Sequence, residues 1–308
     1  MDVIDKNRIL FSFIIVNWNR VDDLIELLFS IQRQKNKVFE TIVVDNASTD
    51  NSVVVVSKKF PDVKIIKQQN NIGVTGFNIG VYNAKGAYCI LLDNDTLVPE
   101  SFIDDLKRTI QKYPKITTFA LNIVKENGNR QNDYLPNNAD KPVFWNNFIG
   151  GGVVFLTSYY NKIGGYNPKY FIYINETELS ARILMDNNKI LFCPNLKIIH
   201  KTSKKSRTHD NNYYYFIRNS ILFIKTYFKI SMKLNLLAGF LLINIKYSIK
   251  NYLLSSYLKG IFSGLSTSTY YKSPKKLSGK LEQKFACSWQ GNPSFLNILR
   301  KKLLNGYP

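Results

Sequence analysis

The chain has 308 residues, 42 Lys+Arg against 22 Asp+Glu, a formal net charge of +20 and only three cysteines. That length can bury a substantial core and hold more than one domain. The scattered Cys89, Cys193 and Cys287 lack metal-ligand spacing, exclude a disulfide framework and fit a reducing cytoplasm. The positive excess alone would suit nucleic acid, but no nucleic-acid motif accompanies it, so that class is set aside.

In chain order, Phe11-Ser12-Phe13-Ile14-Ile15-Val16 is an apolar run, read as a buried strand, that ends in Asn17-Trp18-Asn19-Arg20. Leu24, Leu27, Leu28 and Ile31 then recur at helical spacing, with Asp22 and Asp23 in the first turn. Thr41-Ile42-Val43-Val44 reads as a second strand, closed by Asp45-Asn46-Ala47-Ser48-Thr49-Asp50. Val53 to Phe60 is expected to be helical despite its β-branched run, and Val63 to Ile66 is a third strand. This strand–helix–strand rhythm argues for a mostly parallel sheet with helices on both faces. Ligands of such sheets sit outside the carboxyl ends of the strands, where Asp45 falls.

Gly73, Gly76 and Gly80 follow, in an open turn that leads into a helix. Such glycines let backbone N–H groups approach an anion, or let the helix pack tightly on the sheet; both readings stand. Next, the apolar run Tyr88 to Leu92 ends in Asp93-Asn94-Asp95-Thr96. Two carboxylates at a strand tip are costly unless paired or bound to a cation. Their hard oxygens suit Mg²⁺ or Mn²⁺, which in turn would hold a diphosphate.

These stretches, together with Gly150-Gly151-Gly152, Gly164-Gly165-Tyr166, Tyr170 to Arg182, Pro194 to His200 and Arg218-Asn219, occur in one order over roughly residues 10 to 265. Taken together they resemble family 2 glycosyltransferases of the bacterial polysaccharide type, rhamnosyltransferase-like members included. The resemblance implies the GT-A fold, a nucleotide-diphospho-sugar donor (UDP- or dTDP-linked, dTDP-rhamnose among them), a divalent metal and inversion at the anomeric carbon. It implies donor contacts for Asn17, Asn19, Asp45, Asn46, Gly73, Asn78, Asp93 and Asp95, with Asp45 facing the base. Asp95 is the expected direct metal ligand, Asp93 acts on the ribose or on the metal through water, and His200 is either a further ligand or a hydrogen-bonded strand-end histidine. A mixed oxygen and nitrogen set favours Mn²⁺ slightly over Mg²⁺.

The family places an acidic pair at a helix start, then another acid, Leu and Arg. Here the segment reads Asn175-Glu176-Thr177-Glu178-Leu179-Ser180-Ala181-Arg182. Aligned from Arg182, Asn175 stands where the family has Glu, and Glu176 becomes the catalytic base. Glu178, two residues on, faces away from Glu176 on a helix and is read either as an acceptor contact or as a surface partner of Arg182. Trp145 stacks on an acceptor sugar or fills a core edge, with Gly151 and Gly152 beside the acceptor. Arg218 reaches a phosphate of the donor diphosphate or of a lipid-linked acceptor, or is an ordinary helix-face arginine.

Charge is segregated. Residues 1 to 200 carry 23 Lys+Arg and 20 Asp+Glu, whereas residues 201 to 308 carry 19 and 2. The basic C-terminal region is also aromatic and aliphatic, which suits amphipathic helices on an anionic membrane surface. Only 12 residues, Leu234 to Ile245, separate Lys233 from Lys246, too few for a bilayer span. Met1 to Arg8 is too polar for a signal peptide. The expected organisation is a catalytic domain at 1–212, a helical membrane-associating region at 213–265 and a basic tail at 266–308. A peripheral enzyme on the cytoplasmic face of a bacterial inner membrane, acting on a lipid-linked glycan, follows from this reading.

Overall fold

The computed structural model describes residues 10–129, 136, 139–201, 209–269 and 276–288. The polar start Met1 to Arg8 and most of the expected tail lie outside them, as does the side chain of Cys287. The chain divides into two compact units, one of residues 1–171 and 182–204, the other of 172–181 and 205–308. The boundary therefore differs from that expected at residue 212, and a short insertion of the second unit interrupts the first.

The first unit begins with β1 (Phe11–Asn17), α1 (Val21–Gln32), β2 (Phe39–Asp45), α2 (Ser52–Lys59) and β3 (Lys64–Lys67). A 3-10 turn (Gly73–Thr75) leads into α3 (Gly76–Tyr82) and β4 (Tyr88–Asp93). There follow β5 (Thr96–Leu97), α4 (Phe102–Lys112), β6 (Thr118–Lys125), β7 (Val143–Trp145), β8 (Gly152–Leu156) and α5 (Thr157–Ile163). The helix α6 (Asn175–Met185) crosses the boundary between units, and β9 (Ile190–His200) completes the sheet.

The strand order is β3-β2-β1-β4-β8-β6-β9-β5, with β7 also on β9. β3, β2, β1 and β4 are parallel, as the sequence rhythm predicts. Beyond β4 the sheet is mixed, because β8 runs antiparallel to both β4 and β6. Alternation along the strands sorts the core into two faces. Phe11, Phe13 and Ile15 join Leu24, Leu27, Leu28 and Ile31 of α1, Val56 of α2 and Phe102 and Leu106 of α4. Ile14, between them, faces Gly80 of α3 on the other side. Each such fully buried side chain contributes about 1.5–3 kcal/mol. α2 forms despite its valine run, with Val56 as its one fully buried apolar side chain. Cys89 and Cys193 are buried core residues, and burial pushes both thiols up to about 12.

The second unit contains the first turns of α6, then α7 (His209–Tyr227), α8 (Ile230–Lys250), α9 (Leu254–Ser266) and α10 (Gly279–Ser288). α10 falls within the stretch expected to be a separate tail. It belongs to the helical unit instead: Phe285 is buried against Phe223, and the Leu277 N–H donates to the Tyr227 carbonyl at 2.9 Å.

Candidate active site

Parallel pairing brings the ends of β1, β2 and β4 side by side, with Asn17 opposite Asp45 and Val16 opposite Asp93. Asn17 is the hub. Its buried amide donates to Asp45 Oδ1 at 3.1 Å and to Ser48 Oγ at 3.3 Å, and its Oδ1 accepts from Asn94 at 2.8 Å. Asp45 Oδ2 accepts the Ser48 N–H at 2.9 Å, which fixes the carboxylate at the end of β2. Asn19, in the left-handed region at φ 55°, caps the next loop by accepting from the Thr49 N–H at 2.7 Å. Asn46 donates to the Gly73 carbonyl at 3.0 Å. Gly73 has φ +60°, and a Cβ there would lie 2.1 Å from the Phe171 carbonyl oxygen, so no other residue fits. Gly80 packs against Ile14, so tight packing accounts for that glycine.

Asn78 is bonded to the turn that follows α5. Its Oδ1 accepts from the Tyr160 hydroxyl at 2.7 Å and the Tyr166 N–H at 2.9 Å, while its Nδ2 donates to the Tyr166 carbonyl at 2.8 Å. It braces the turn after α5.

Asp93 at the tip of β4, Asp95 and His200 at the end of β9 bring one ligand atom each within 4.8 Å of one another. Pairing of Thr96 with His200 across β5 and β9 delivers the histidine. Its Nε2 lies 3.4 Å from Asp95 Oδ1. Two carboxylates and an imidazole are a donor set that fits Mn²⁺ or Mg²⁺. Gly151 is needed beside them, because a Cβ there would approach Asp93 Oδ2 to 2.3 Å. Gly152 begins β8 opposite Leu92.

Sequence reasoning missed Arg20 as a site residue. Its guanidinium pairs with Asp95 Oδ2 at 2.5 Å and lies 3.8 Å from Asp23. Next to His200, Lys201 contacts Asp23 at 2.8 Å and Glu26 at 2.7 Å. Partial burial works against the Lys201 charge, but those two carboxylates hold its ammonium above the usual lysine range. Trp145 is half-buried on β7, paired with Ile190 of β9.

In the second unit, Glu176 is half-buried in the first turn of α6, where the helix dipole favours an acid. The two residues before Asn175 are backbone outliers: Tyr173 has φ 65° and Ile174 has φ 61°. A β-branched residue in that region is strained, at about 1–3 kcal/mol. Asn219, fully buried on α7, holds the turn by donating to the Ile172 and Tyr173 carbonyls at 2.6 and 3.0 Å. Asn219→Ala is therefore expected to lower kcat with little change in donor Kd. Equal loss of both would assign Asn219 to the fold in general.

Glu178 corrects the reading of a surface residue. It is fully buried and accepts the Tyr227 hydroxyl at 2.6 Å. Arg182 donates to the Ile163 and Gly165 carbonyls at 2.7 and 2.6 Å. Arg218 is turned onto α9 and its own neighbour: it donates to Ser263 at 3.2 Å, Thr267 at 3.4 Å and Asn219 at 2.6 Å.

The mixed, helix-covered sheet, with two aspartates and a histidine gathered at its strand ends, matches the GT-A class of fold. The model for glycosyl transferase family 2 matches residues 12–175, and the chain belongs to that family. An uncharacterised glycosyltransferase of Haemophilus influenzae is 31% identical over 108 residues, 35% of this chain and 36% of that protein. The match thus spans about a third of that relative's length. The Staphylococcus aureus TarS 1–349 crystal structure in complex with UDP-GlcNAc has a TM-score of 0.55 at 16% identity, covering 70% of this chain and 66% of that one. Mannosyltransferase PcManGT of Pyrobaculum calidifontis, in complex with GDP-Man and Mn²⁺, has a TM-score of 0.57 at 14% identity, covering 98% and 89%. At these identities the likeness shows the fold.

Proposed function

We propose that this chain is an inverting glycosyltransferase. It moves one sugar from a UDP- or dTDP-linked donor, dTDP-rhamnose among the candidates, to a lipid-linked glycan in cell-surface polysaccharide synthesis. The observation that carries this reading is the convergence of Asp45, Asp93, Asp95 and His200 at one sheet edge. Asp45 accepts the imide N–H of the base. Asp93, Asp95 and His200 would hold Mn²⁺ or Mg²⁺, which supplies positive charge to the leaving diphosphate. Glu176 takes the proton from the acceptor hydroxyl as its oxygen attacks the anomeric carbon from the face opposite the diphosphate. The bond to the diphosphate breaks as the new glycosidic bond forms, so no enzyme nucleophile is required.

The deciding experiment is a panel of UDP-, dTDP- and GDP-sugars, titrated with and without Mn²⁺ and then assayed for turnover. Selective, Mn²⁺-dependent binding and turnover are expected for a UDP- or dTDP-sugar. Binding of none of them would refute the reading. A second reading, a non-catalytic scaffold on the same fold, is favoured by Asn175, which stands where the family has Glu; binding without turnover would select it.

Asp45→Asn is expected to weaken uridine and thymidine diphosphates about 10- to 100-fold, the worth of a hydrogen bond to a charged acceptor. The amide can still accept from Ser48, but its NH2 then faces the Asn17 amide NH2, a donor against a donor, so the melting temperature of the variant is the control that separates lost base recognition from a disturbed hub. Unchanged affinity for UDP and dTDP would remove Asp45 from the base site.

A further inference from the structure

The two helices α8 and α9 are built inside out for a water-soluble unit. The buried side of α8 carries Leu236, Gly239, Phe240, Asn244 and Ser248. Its outward side carries Leu234, Leu242, Ile245 and Ile249, spaced to form one stripe, and all are exposed. α9 repeats the inversion. Tyr257, Gly260 and Gly264 face inward, while Leu254, Leu258, Phe262 and Leu265 face out, with Phe262 76% exposed.

The inward glycines serve close packing on α7. A Cβ at Gly260 would lie 2.9 Å from Ile217 Cβ, and one at Gly264 would lie 2.8 Å from the Arg218 carbonyl oxygen. Small residues four apart at a helix contact, with large apolar ones turned outward, are a pattern suited to lipid. Tyr252, in the turn between the two helices, is 95% exposed, and amphipathic rings favour the headgroup level.

Charge chooses the kind of surface. Lys246, Lys250 and Lys259 are exposed beside these stripes, and the sequence has no Asp or Glu between Asp210 and Glu282. α8, at 21 residues, is long and apolar enough to cross a membrane by length and composition. One of its sides is nevertheless committed to protein: Tyr213 donates to the Asn244 carbonyl at 2.8 Å, and Ser248 is buried.

We propose that α8 and α9 dock this protein on one leaflet of an anionic bilayer. The outward Leu, Ile and Phe side chains enter the acyl boundary, and Lys246, Lys250 and Lys259 meet headgroup phosphates. The proposal rests on the helical unit alone, so a vesicle experiment and a donor-binding experiment can fail separately. Lys225 is unsuitable as a probe. Its ammonium is tied to the Leu265 and Thr267 carbonyls at 2.5 and 2.8 Å, so its loss would disturb the fold.

The test is flotation of the full chain with vesicles of phosphatidylcholine, alone or mixed with phosphatidylglycerol. Wild type should float with the mixed vesicles and not with the neutral ones. Leu258→Ser with Phe262→Ser should abolish flotation at an unchanged melting temperature, since both side chains are already exposed. Replacing Lys246, Lys250 and Lys259 with Gln should weaken partitioning roughly fivefold for each lysine. Phe262→Trp should give a blue-shifted emission on anionic vesicles and be quenched by brominated acyl chains. Three outcomes would overturn the proposal. One is flotation of the Leu258/Phe262 double variant equal to wild type. Another is wild type that ignores anionic vesicles but self-associates through this face, so that the double variant becomes monomeric. The third is bound protein that resists alkaline carbonate extraction, which would mean a helix crossing the bilayer.

Discussion

Glu176→Gln is expected to cut sugar transfer by about 10²–10⁴-fold, the usual effect of losing a general base, and to leave donor Kd unchanged. Gln keeps the length and hydrogen-bonding reach of Glu but cannot accept the proton. The control is Glu178. It lies two residues away on α6 yet is fully buried and accepts the Tyr227 hydroxyl. Gln at position 178 can still accept that bond, so Glu178→Gln should turn over far faster than Glu176→Gln. Glu178→Ala removes the buried acceptor of the Tyr227 hydroxyl, and its effect should appear as about 1–3 kcal/mol of lost stability. Measuring kcat, donor Kd and melting temperature for all three separates base from prop. If Glu178→Gln is inactive while Glu176→Gln retains most of its turnover, the base is two residues further on.

The placement of Glu178 illustrates where sequence reasoning ends. Helical periodicity separates Glu176 from Glu178 around α6, and the two differ in burial, Glu176 half-buried and Glu178 fully buried. It carried no information on what covers the second side, because the partner, Tyr227, is 49 residues away. Arg20 and Asp95 are likewise 75 residues apart, and an ion pair between them leaves no local trace. The parallel half of the sheet was legible because each of β1, β2 and β4 is an apolar run closed by a polar turn. The mixed half was not, since β8 is placed by long-range pairing with β4 and β6 rather than by its own pattern. The lysines at 233 and 246 suggested a short apolar segment, yet they lie within a helix running from Ile230 to Lys250. Charged residues on a helix flank do not end it; they only set which side faces water or headgroups.

Asp95→Ala is expected to abolish Mn²⁺ binding at the strand tip and, with it, metal-dependent donor binding. Asp95 is central to the cluster, with Arg20 on one carboxylate oxygen and His200 Nε2 at 3.4 Å from the other. Without it, one carboxylate and one imidazole are left, too few protein ligands to hold a weakly bound divalent ion against water. The fold should survive. Asp95 is buried just beyond the end of β4, so its loss costs more than that of a surface pair, but Arg20 keeps Asp23 at 3.8 Å as a second partner and the stability change is expected at about 1–3 kcal/mol. Direct titration of Mn²⁺ followed by paramagnetic resonance reads the metal without relying on turnover. Donor titration in chelator then reads the coupling: wild type should lose affinity on metal removal, whereas the variant should be equally weak with and without metal. A variant that binds Mn²⁺ as wild type does, or that works at the wild-type rate in metal-free buffer, would show that the two aspartates at the end of β4 are a solvated turn and that the diphosphate charge is met elsewhere.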